Sequence, residues 1–315
     1  MSTPLRSIAY VFPIFNEEEN IELLHATMVE TVAPLVEKYR FEFIFVDDGS
    51  RDDSLRRLMD LRERDSRVTV IALSRNFGHQ MAVTAGLDHS DADAVIIMDA
   101  DLQDPPAVSL ELIERWEAGA DVVYAQRRSR QDGVFKRASA HAFYWTLSRL
   151  ASIEIPRNTG DFRLLDRKVV EEVGKYRERN RFLRGLVSHV GFRQEAVAFD
   201  RHARHAGETG YPLRKMVRFA ADGILGFSTV PLQLISRIGM LMSVLAFVGI
   251  VYVVFGRLFT PENVVPGWAF VTVSMFFLGG IQLTMLGVLG SYIGRIYVEA
   301  QARPLYGVKL YEHGH

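Results

Sequence analysis

Two long stretches without a single charge restrict this chain more than any other feature. Ile238 to Gly256 is nineteen residues, about 28 Å of helix at ~1.5 Å per residue, which is the depth of a bilayer core. Gly267 to Gly294 is longer and contains Gly279-Gly280. Only the turn Leu258 to Pro266 separates them, so the pair reads as a helical hairpin across a membrane. Buried helices of a soluble core rarely need two such runs. The composition agrees, since 48% of the 315 residues are hydrophobic, more than a soluble domain requires.

Basic residues set the expected orientation. Arg214, Lys215, Arg218 and Arg237 precede the first stretch and Arg295, Arg303 and Lys309 follow the second, while the turn offers Arg257 at its edge with Glu262 nearby. Both ends are therefore expected on the cytoplasmic side of the plasma (inner) membrane. Tyr211 to Ser236 mixes basic residues with Leu213, Met216, Val217, Phe219, Ile224, Leu225 and Phe227, a pattern of juxtamembrane helices lying on the membrane surface or of a solvated linker. Met1 to Arg6 has no apolar h-region, so no cleavable secretory signal is expected. The absence of cysteine excludes disulfides and thiolate metal sites and fits a reducing compartment. A net charge of −1 gives no electrostatic footprint for nucleic acid. The expected organisation is a cytosolic domain over 1–210, juxtamembrane helices over 211–236, two transmembrane helices within 237–294 and a cytoplasmic tail over 295–315.

Within the first two hundred residues, apolar runs of strand length alternate with segments of helix length. The runs are Ile8 to Phe15, Phe41 to Val46, Val68 to Leu73, Ala94 to Met98 and Asp121 to Ala125. Such alternation predicts an α/β domain with a mostly parallel sheet and helices on both faces. Ligands of such sheets gather at the carboxyl ends of the strands. Polar clusters follow each run there: Asn16-Glu17-Glu18-Glu19, Asp47-Asp48-Gly49-Ser50, Ser74 to Gln80, Asp99 to Asp104, and Gln126-Arg127-Arg128.

The first run leads into Pro13-Ile14-Phe15-Asn16-Glu17 and not into a glycine-rich turn, and no Walker loop occurs. Phosphates can instead be held through a divalent cation. Asp99-Ala100-Asp101 offers two hard oxygen ligands on one side of an extended segment, and Gln103 continues that side. Asp104 before Pro105-Pro106 reads as a helix cap. The acid pair Asp47-Asp48 serves either as a strand-ending turn or as acceptors for a base or ribose. Glu18, Glu19 and Asn20 read as a solvated helix start, and His79 as structural or functional with nothing to decide between them. Arg127, Arg128, Arg130, Lys136 and Arg137 form a dense basic segment ahead of Phe143-Tyr144-Trp145. It is either a solvated face or a cradle for a phosphate at the membrane surface, with Arg128 and Arg137 favoured as the acceptor-phosphate contacts.

Taken together and in order, the segments VFPIFNEEENI, FIFVDDGSRDDS, LSRNFGHQ, MDADLQDPP, NTGDFRLLDRKVV, RFLRGL and RHAGETGYPLRK, followed by two spans, resemble the inverting GT-A glycosyltransferases. The likeness is to the membrane-bound polyprenyl-phosphate glycosyltransferases, the group of bactoprenol glucosyltransferases and dolichol-phosphate mannose synthases. It implies a GT-A domain and a nucleotide-sugar donor, with Mg²⁺ or Mn²⁺ on Asp99, Asp101 and Gln103. Nucleotide contacts are implied for Pro13, Phe15, Asn16, Glu17, Asp48, Ser74 and Asp99. Asp161 sits at the family's presumed base, and Arg204 is the candidate for stabilising the leaving pyrophosphate, with Asp101. The acceptor implied is a polyprenyl phosphate in the bilayer, the donor UDP-glucose ahead of GDP-mannose and UDP-N-acetylhexosamines, and the assembly a homotetramer. A phosphomonoester is already largely dianionic at neutral pH, its second pKa being about 6, so Asp161 has little proton to remove and can serve instead to orient the acceptor or sugar. Rival readings are a processive synthase, disfavoured because Arg181-Phe182-Leu183-Arg184-Gly185 stands where a Gln-x-x-Arg-Trp segment is needed, a non-catalytic nucleotide-sugar-binding module, and a nucleotide-sugar hydrolase.

Overall fold

The computed structural model describes residues 5–128, 159–179, 181–200, 230–259 and 267–314. Two units are distinct in it, a sheet domain to which 304–315 belongs, and a helical unit over 214–303.

The sheet domain opens with β1 (Arg6–Ile14), α1 (Ile21–Val32), β2 (Tyr39–Asp47), α2 (Ser54–Arg64), β3 (Val68–Leu73), α3 (His79–Asp88), β4 (Ala94–Ile97), α4 (Val108–Glu117) and β5 (Val122–Arg127). β6 (Thr159–Asp166), α5 (Arg167–Lys175), α6 (Leu183–His189) and β7 (Gln194–Phe199) follow. The helical unit contains α7 (Val230–Phe259) and α8 (Trp268–Ala300), after which β8 (Val308–Glu312) rejoins the sheet. Each of the five predicted strands is present within two residues of its expected limits, save that Phe15 stands exposed outside β1. Within the segment expected as a cytoplasmic tail, 295–300 continue α8 and 308–312 form the strand β8.

The eight strands form one sheet in the order β7-β5-β6-β4-β1-β2-β3-β8. β1 runs parallel to β2 and β4, β2 to β3, and β5 to β7, whereas β6 is antiparallel to both neighbours and β8 to β3. Because β6 lies antiparallel between β4 and β5, its first residues share an edge with the last residues of the parallel strands. That edge collects Asn16, Asp48, Ser74, Asp99 and Asp161.

Alternation along the strands supplies two apolar layers, as a sheet covered on both faces requires. Ile8, Tyr10, Phe12, Phe41, Phe43 and Phe45 face the layer shared with α1, α2 and α4. Ala9, Val11, Ile44, Val46, Ile71 and Leu73 face α3, α5 and α6. The first layer is aromatic, with Phe12 and Phe45 rings stacked at 5.0 Å. The second is aliphatic and closer, because α3 lies on the sheet through Gly86, where a Cβ would meet Val11 Cγ1 at 2.3 Å and Val46 Cγ2 at 3.2 Å. At the head of α5, Asp166 caps the helix by accepting from the Lys168 amide at 3.1 Å, and its other oxygen accepts from Trp116 Nε1 at 2.7 Å.

In the helical unit, α7 and α8 extend beyond the uncharged stretches, with 30 and 33 residues. Leu232–Gly249 and Phe277–Ala300 are long and apolar enough to cross a membrane. Leu241, Val244, Phe247, Phe277 and Leu283 are exposed, which water disfavours and lipid accepts. Gly239 brings α7 close to Met285 of α8. The turn 260–266 and most of the expected juxtamembrane segment lie outside the described residues.

Gly86→Val should destabilise the sheet domain by about 3 kcal/mol, since overpacking at a helix-sheet contact outweighs any gain in helix propensity. Urea or thermal unfolding of the full chain followed by circular dichroism measures this; an unchanged midpoint would remove the close α3 contact from the account.

Candidate active site

The loops after β1 and β2 are tied to each other. Asn16 holds a left-handed φ of 55°, an uncommon conformation for a side-chain-bearing residue and one that Asn tolerates. Its amide donates to Ser50 Oγ at 3.0 Å and its side-chain oxygen accepts from the Arg51 amide at 2.9 Å. The Glu17 amide donates to Ser54 Oγ at 3.0 Å, and Glu18 accepts from the Asp53 amide at 2.8 Å. Glu18 therefore fastens the two loops and is more than a solvated helix start.

Asp48 fastens the second loop to the third. It is buried, and its carboxylate accepts from the amides of Phe77 at 2.7 Å and Gly78 at 2.8 Å. Burial lifts its pKa above the usual carboxylate range against the pull of those two donors. The close approach needs Gly49, whose φ is +70° and whose Cβ would stand 2.5 Å from the Arg75 carbonyl carbon. Asp48 was expected to face the nucleotide; in the structure its oxygens are engaged by the Ser74–Gly78 loop.

Past β4 the chain is not extended, as the Asp-x-Asp reading assumed. Ala100 and Asp101 lie in a turn, Leu102 holds a φ of 53°, and Asp101 Oδ1 accepts from the Gln103 amide at 3.1 Å. A left-handed leucine is a costly conformation of the kind found at binding sites. Gln103 is buried, and its Nε2 has no hydrogen-bond partner among the described residues. Asp104 does not cap α4, whose N-cap is Ala107; its buried carboxylate pairs with Arg127 at 3.3 Å. Asp99 and Asp101 remain as the accessible acids of the run. Burial, with Asp161, Asp101 and Asp104 close by, pushes Asp99 up to about 6 despite the opposing pull of His79. Such crowding of negative charge suits a cation. Among the described residues no group of three or more His, Asp or Glu is arranged to hold a metal ion. The two carboxylates are hard oxygen ligands that fit a divalent cation sharing its shell with phosphates.

Opposite lies Asp161, 9% exposed at the start of β6. Arg184 Nε of α6 donates to Oδ1 at 2.7 Å, while His79 Nε2 lies 3.1 Å and Gln80 Nε2 3.4 Å from Oδ2. Arg184 also donates to the Thr159 carbonyl at 3.1 Å, and buried Arg163 donates to the Gly160 carbonyl at 3.0 Å. Burial alone would raise Asp161, but the His79 hydrogen bond, the Arg184 charge and Arg163 outweigh it and hold the carboxyl well below the usual range. Burial also lowers Arg163, to about 10. His79 Nε2 lies 3.7 Å from Asp99 Oδ1, so one ring links Asp161 to the acidic run. Burial disfavours the charged ring, but Asp161 and Asp99 prevail and raise its pKa.

The structure thus gathers Asp99, Asp101, Asp161, Asp48 and the Asn16-Glu17 and Ser74 loops at one sheet edge, with Pro13 inside β1 and Phe15 exposed beyond it. Arg128 is also there, its guanidinium 3.4 Å from Asp200 and exposed. Arg137 and Arg204 lie outside the described residues. Sequence reasoning missed the Arg184 and Gln80 contacts and left His79 undecided. The signal for His79 and Gln80 was position, since they head a helix straight after a strand-end loop; Arg184 carried no such signal.

This is the architecture and edge chemistry of a GT-A glycosyltransferase. Residues 10–174 match the Glycosyl transferase family 2 model. The chain is 47% identical over 307 residues to the uncharacterized glycosyltransferase YkcC of Bacillus subtilis (strain 168), covering 96% of this chain and 94% of that one. It is 41% identical over 303 residues to the prophage bactoprenol glucosyl transferase homolog of Escherichia coli (strain K12), covering 96% and 98%. Among solved structures, glucosyl-3-phosphoglycerate synthase from Mycobacterium tuberculosis, in complex with Mn²⁺, UDP and phosphoglyceric acid, aligns with a TM-score of 0.43 at 21% identity, over 70% of this chain and 76% of that one. The chain belongs to glycosyl transferase family 2.

Asp48→Ala should cost about 2 kcal/mol by leaving two partly buried amides unpaired, and Asp48→Asn less, because one acceptor oxygen survives. Denaturant midpoints of both variants check the order; equal stability to wild type would mean the Ser74–Gly78 loop is held by something else.

Proposed function

We propose that this protein transfers one sugar, glucose from UDP-glucose, to polyprenyl phosphate with inversion at the anomeric carbon, leaving the product in the cytoplasmic leaflet. The observation that carries the reading is the confrontation, at one sheet edge, of the Asp99-Asp101 pair with an Asp161 clamped by cations. The acceptor is supported by near full-length similarity to bactoprenol glucosyl transferases, which extends through the apolar helices as well as the sheet domain.

The residues divide the work as follows. The Asn16-Glu17, Asp48 and Ser74 loops frame the nucleoside, with Pro13 and Phe15 bordering it. Asp99 and Asp101 would hold a Mg²⁺ or Mn²⁺, with Gln103 beside them. The chemistry supplied by such an ion would be neutralisation of the charge gathering on the departing nucleoside diphosphate. Arg204 adds positive charge to the same leaving group. Arg128 and Arg137 hold the acceptor phosphate at headgroup level, and an oxygen of that phosphate attacks the anomeric carbon opposite the breaking bond. Asp161, kept as a carboxylate by His79, Arg184 and Arg163, orients the reactants. Its low proton affinity makes it a weak base, and a dianionic acceptor asks for none. The domain faces the cytoplasm, with 211–236 and the two spans holding it to the inner membrane, and the chain works as a homotetramer.

The direct test is purified full-length protein with polyprenyl phosphate and, separately, UDP-glucose, GDP-mannose and UDP-N-acetylglucosamine. The expected result is one glycolipid, from UDP-glucose. Nucleotide-sugar loss without any need for lipid would favour a hydrolase, and binding without turnover a sensing module. Asp101→Asn should lower transfer by about 10²-fold or more, as removal of a charged ligand for a catalytic cation does. Wild-type rates in that variant, or in excess chelator, would end the metal assignment.

Asp161→Asn should also lose rate, by about 10²-fold through misplaced reactants. Its pH profile should keep the wild-type acid limb near pH 6, because the acceptor's own titration sets it. Full recovery of the variant at high pH would restore Asp161 as general base.

A further inference from the structure

After α8 the chain rejoins the sheet domain through 301–307, and Gly307 meets the loop that leads into α3. The Ser74 amide donates to the Gly307 carbonyl at 2.8 Å. Space is short there, for a Cβ on Gly307 would stand 3.1 Å from Ser74 Oγ and 3.9 Å from both Phe77 Cζ and Ser74 Cβ. β8 next pairs Val308 with Leu73, and the register shifts between Ala72 and Leu73, directly before the loop. A bulge at that position re-aims the chain that follows it. Tyr306 packs in the same apolar layer as Phe77, and its hydroxyl donates to Asp88 at 2.7 Å, in the last turn of α3. One short segment therefore braces the loop before α3 and the far end of that helix. The loop is held from the opposite side by Asp48, and it presents His79 and Gln80 to Asp161.

We infer that Gly307 is a positioning residue for the donor site, its segment latching the Ser74–Gly78 loop into the shape that receives the nucleotide. The inference rests on the proposed nucleotide-binding role of that loop. It gives β8 a part in catalysis beyond covering the sheet edge, because Gly307 acts through the Ser74 amide and by leaving room for Ser74 and Phe77. A bulky side chain at 307 presses on Ser74 and Phe77 and shifts the loop against Asp48.

The test uses full-length protein in detergent, with UDP and GDP each titrated calorimetrically in Mg²⁺ and transfer kinetics run alongside. In Gly307→Val the affinity for UDP should fall by about three- to tenfold, the worth of one lost hydrogen bond. The donor KM should rise by the same factor, while kcat and the acceptor KM stay near wild type. A general loss of structure would lower kcat and disturb both substrates. Should Gly307→Val fail to fold, a Ser74→Cys, Gly307→Cys double variant decides, since the 3.9 Å separation suits a disulfide and the chain has no other cysteine. Its oxidised form should bind UDP more tightly than its reduced form. Equal affinity in the two forms, or a Gly307→Val protein that binds UDP as wild type does, overturns the latch while leaving the nucleotide reading intact. A wild-type chain that binds neither UDP nor GDP overturns the reading beneath it.

Discussion

The arrangement of this site depends on a carboxylate that cannot stand alone. Asp161 is nearly buried in the first turns of a central strand, where an unpaired charge costs several kcal/mol. Arg184 from α6, His79 and Gln80 from α3, and Arg163 from its own strand converge on it or on its neighbouring carbonyls. Removing Asp161 would leave buried Arg163 and partly buried Arg184 without the carboxylate that offsets them. The cluster therefore joins α3, α6 and β6 more tightly than apolar packing alone would. It also explains why β6 runs antiparallel, since only that direction brings the start of the strand, and hence Asp161, to the edge where β1 to β4 end.

A second constraint is that three successive loops share their polar groups and do not merely border one another. Asn16 and Glu18 are bonded to the β2 loop, Asp48 to the β3 loop, and Ser74 to Gly307. Left-handed residues occur where these loops turn, at Asn16, Gly49 and Gly78. The Asn16 amide is bonded to Ser50 and the Gly78 amide to Asp48, so neighbouring loops hold these backbones in place. The loops proposed to frame the nucleotide are thus tied to one another, which would lower the ordering cost of binding.

Much of this was legible in the residues. Ile8 to Phe15, Phe41 to Val46 and Val68 to Leu73 are apolar enough to be strands on any reading, and the uncharged stretches near the end allow little besides long helices. β6 was hidden because Asp161 and Arg163 interrupt its apolar pattern, and only the pairing of Asp161 with Arg184, and of Arg163 with the Gly160 carbonyl, lets the segment serve as a central strand. β7 and β8 were hidden for an ordinary reason: they are edge strands with exposed positions, and their period of two is weak. At the site, Asp99 and Asp101 could be read from their place at a strand end. Arg184 could not, because it lies 23 residues from Asp161 on a helix whose own pattern gives no hint of a partner.

The run Met98-Asp99-Ala100-Asp101-Leu102-Gln103-Asp104 resolves into two kinds of acid once pairing is considered. Asp104 is neutralised by Arg127 and buried. Asp161 across the edge is surrounded by cations, which hold its carboxyl well below the usual range. Among the described residues, Asp99 has His79 at 3.7 Å, and that ring is shared with Asp161. The negative charge of Asp99 and Asp101 is thus only partly offset by the described residues. A nucleoside diphosphate would add more of the same sign, and two acids facing two phosphates repel unless a divalent cation stands between them. In this fold the acids at the end of β4 are better understood as a request for that cation than as groups that act on the sugar themselves.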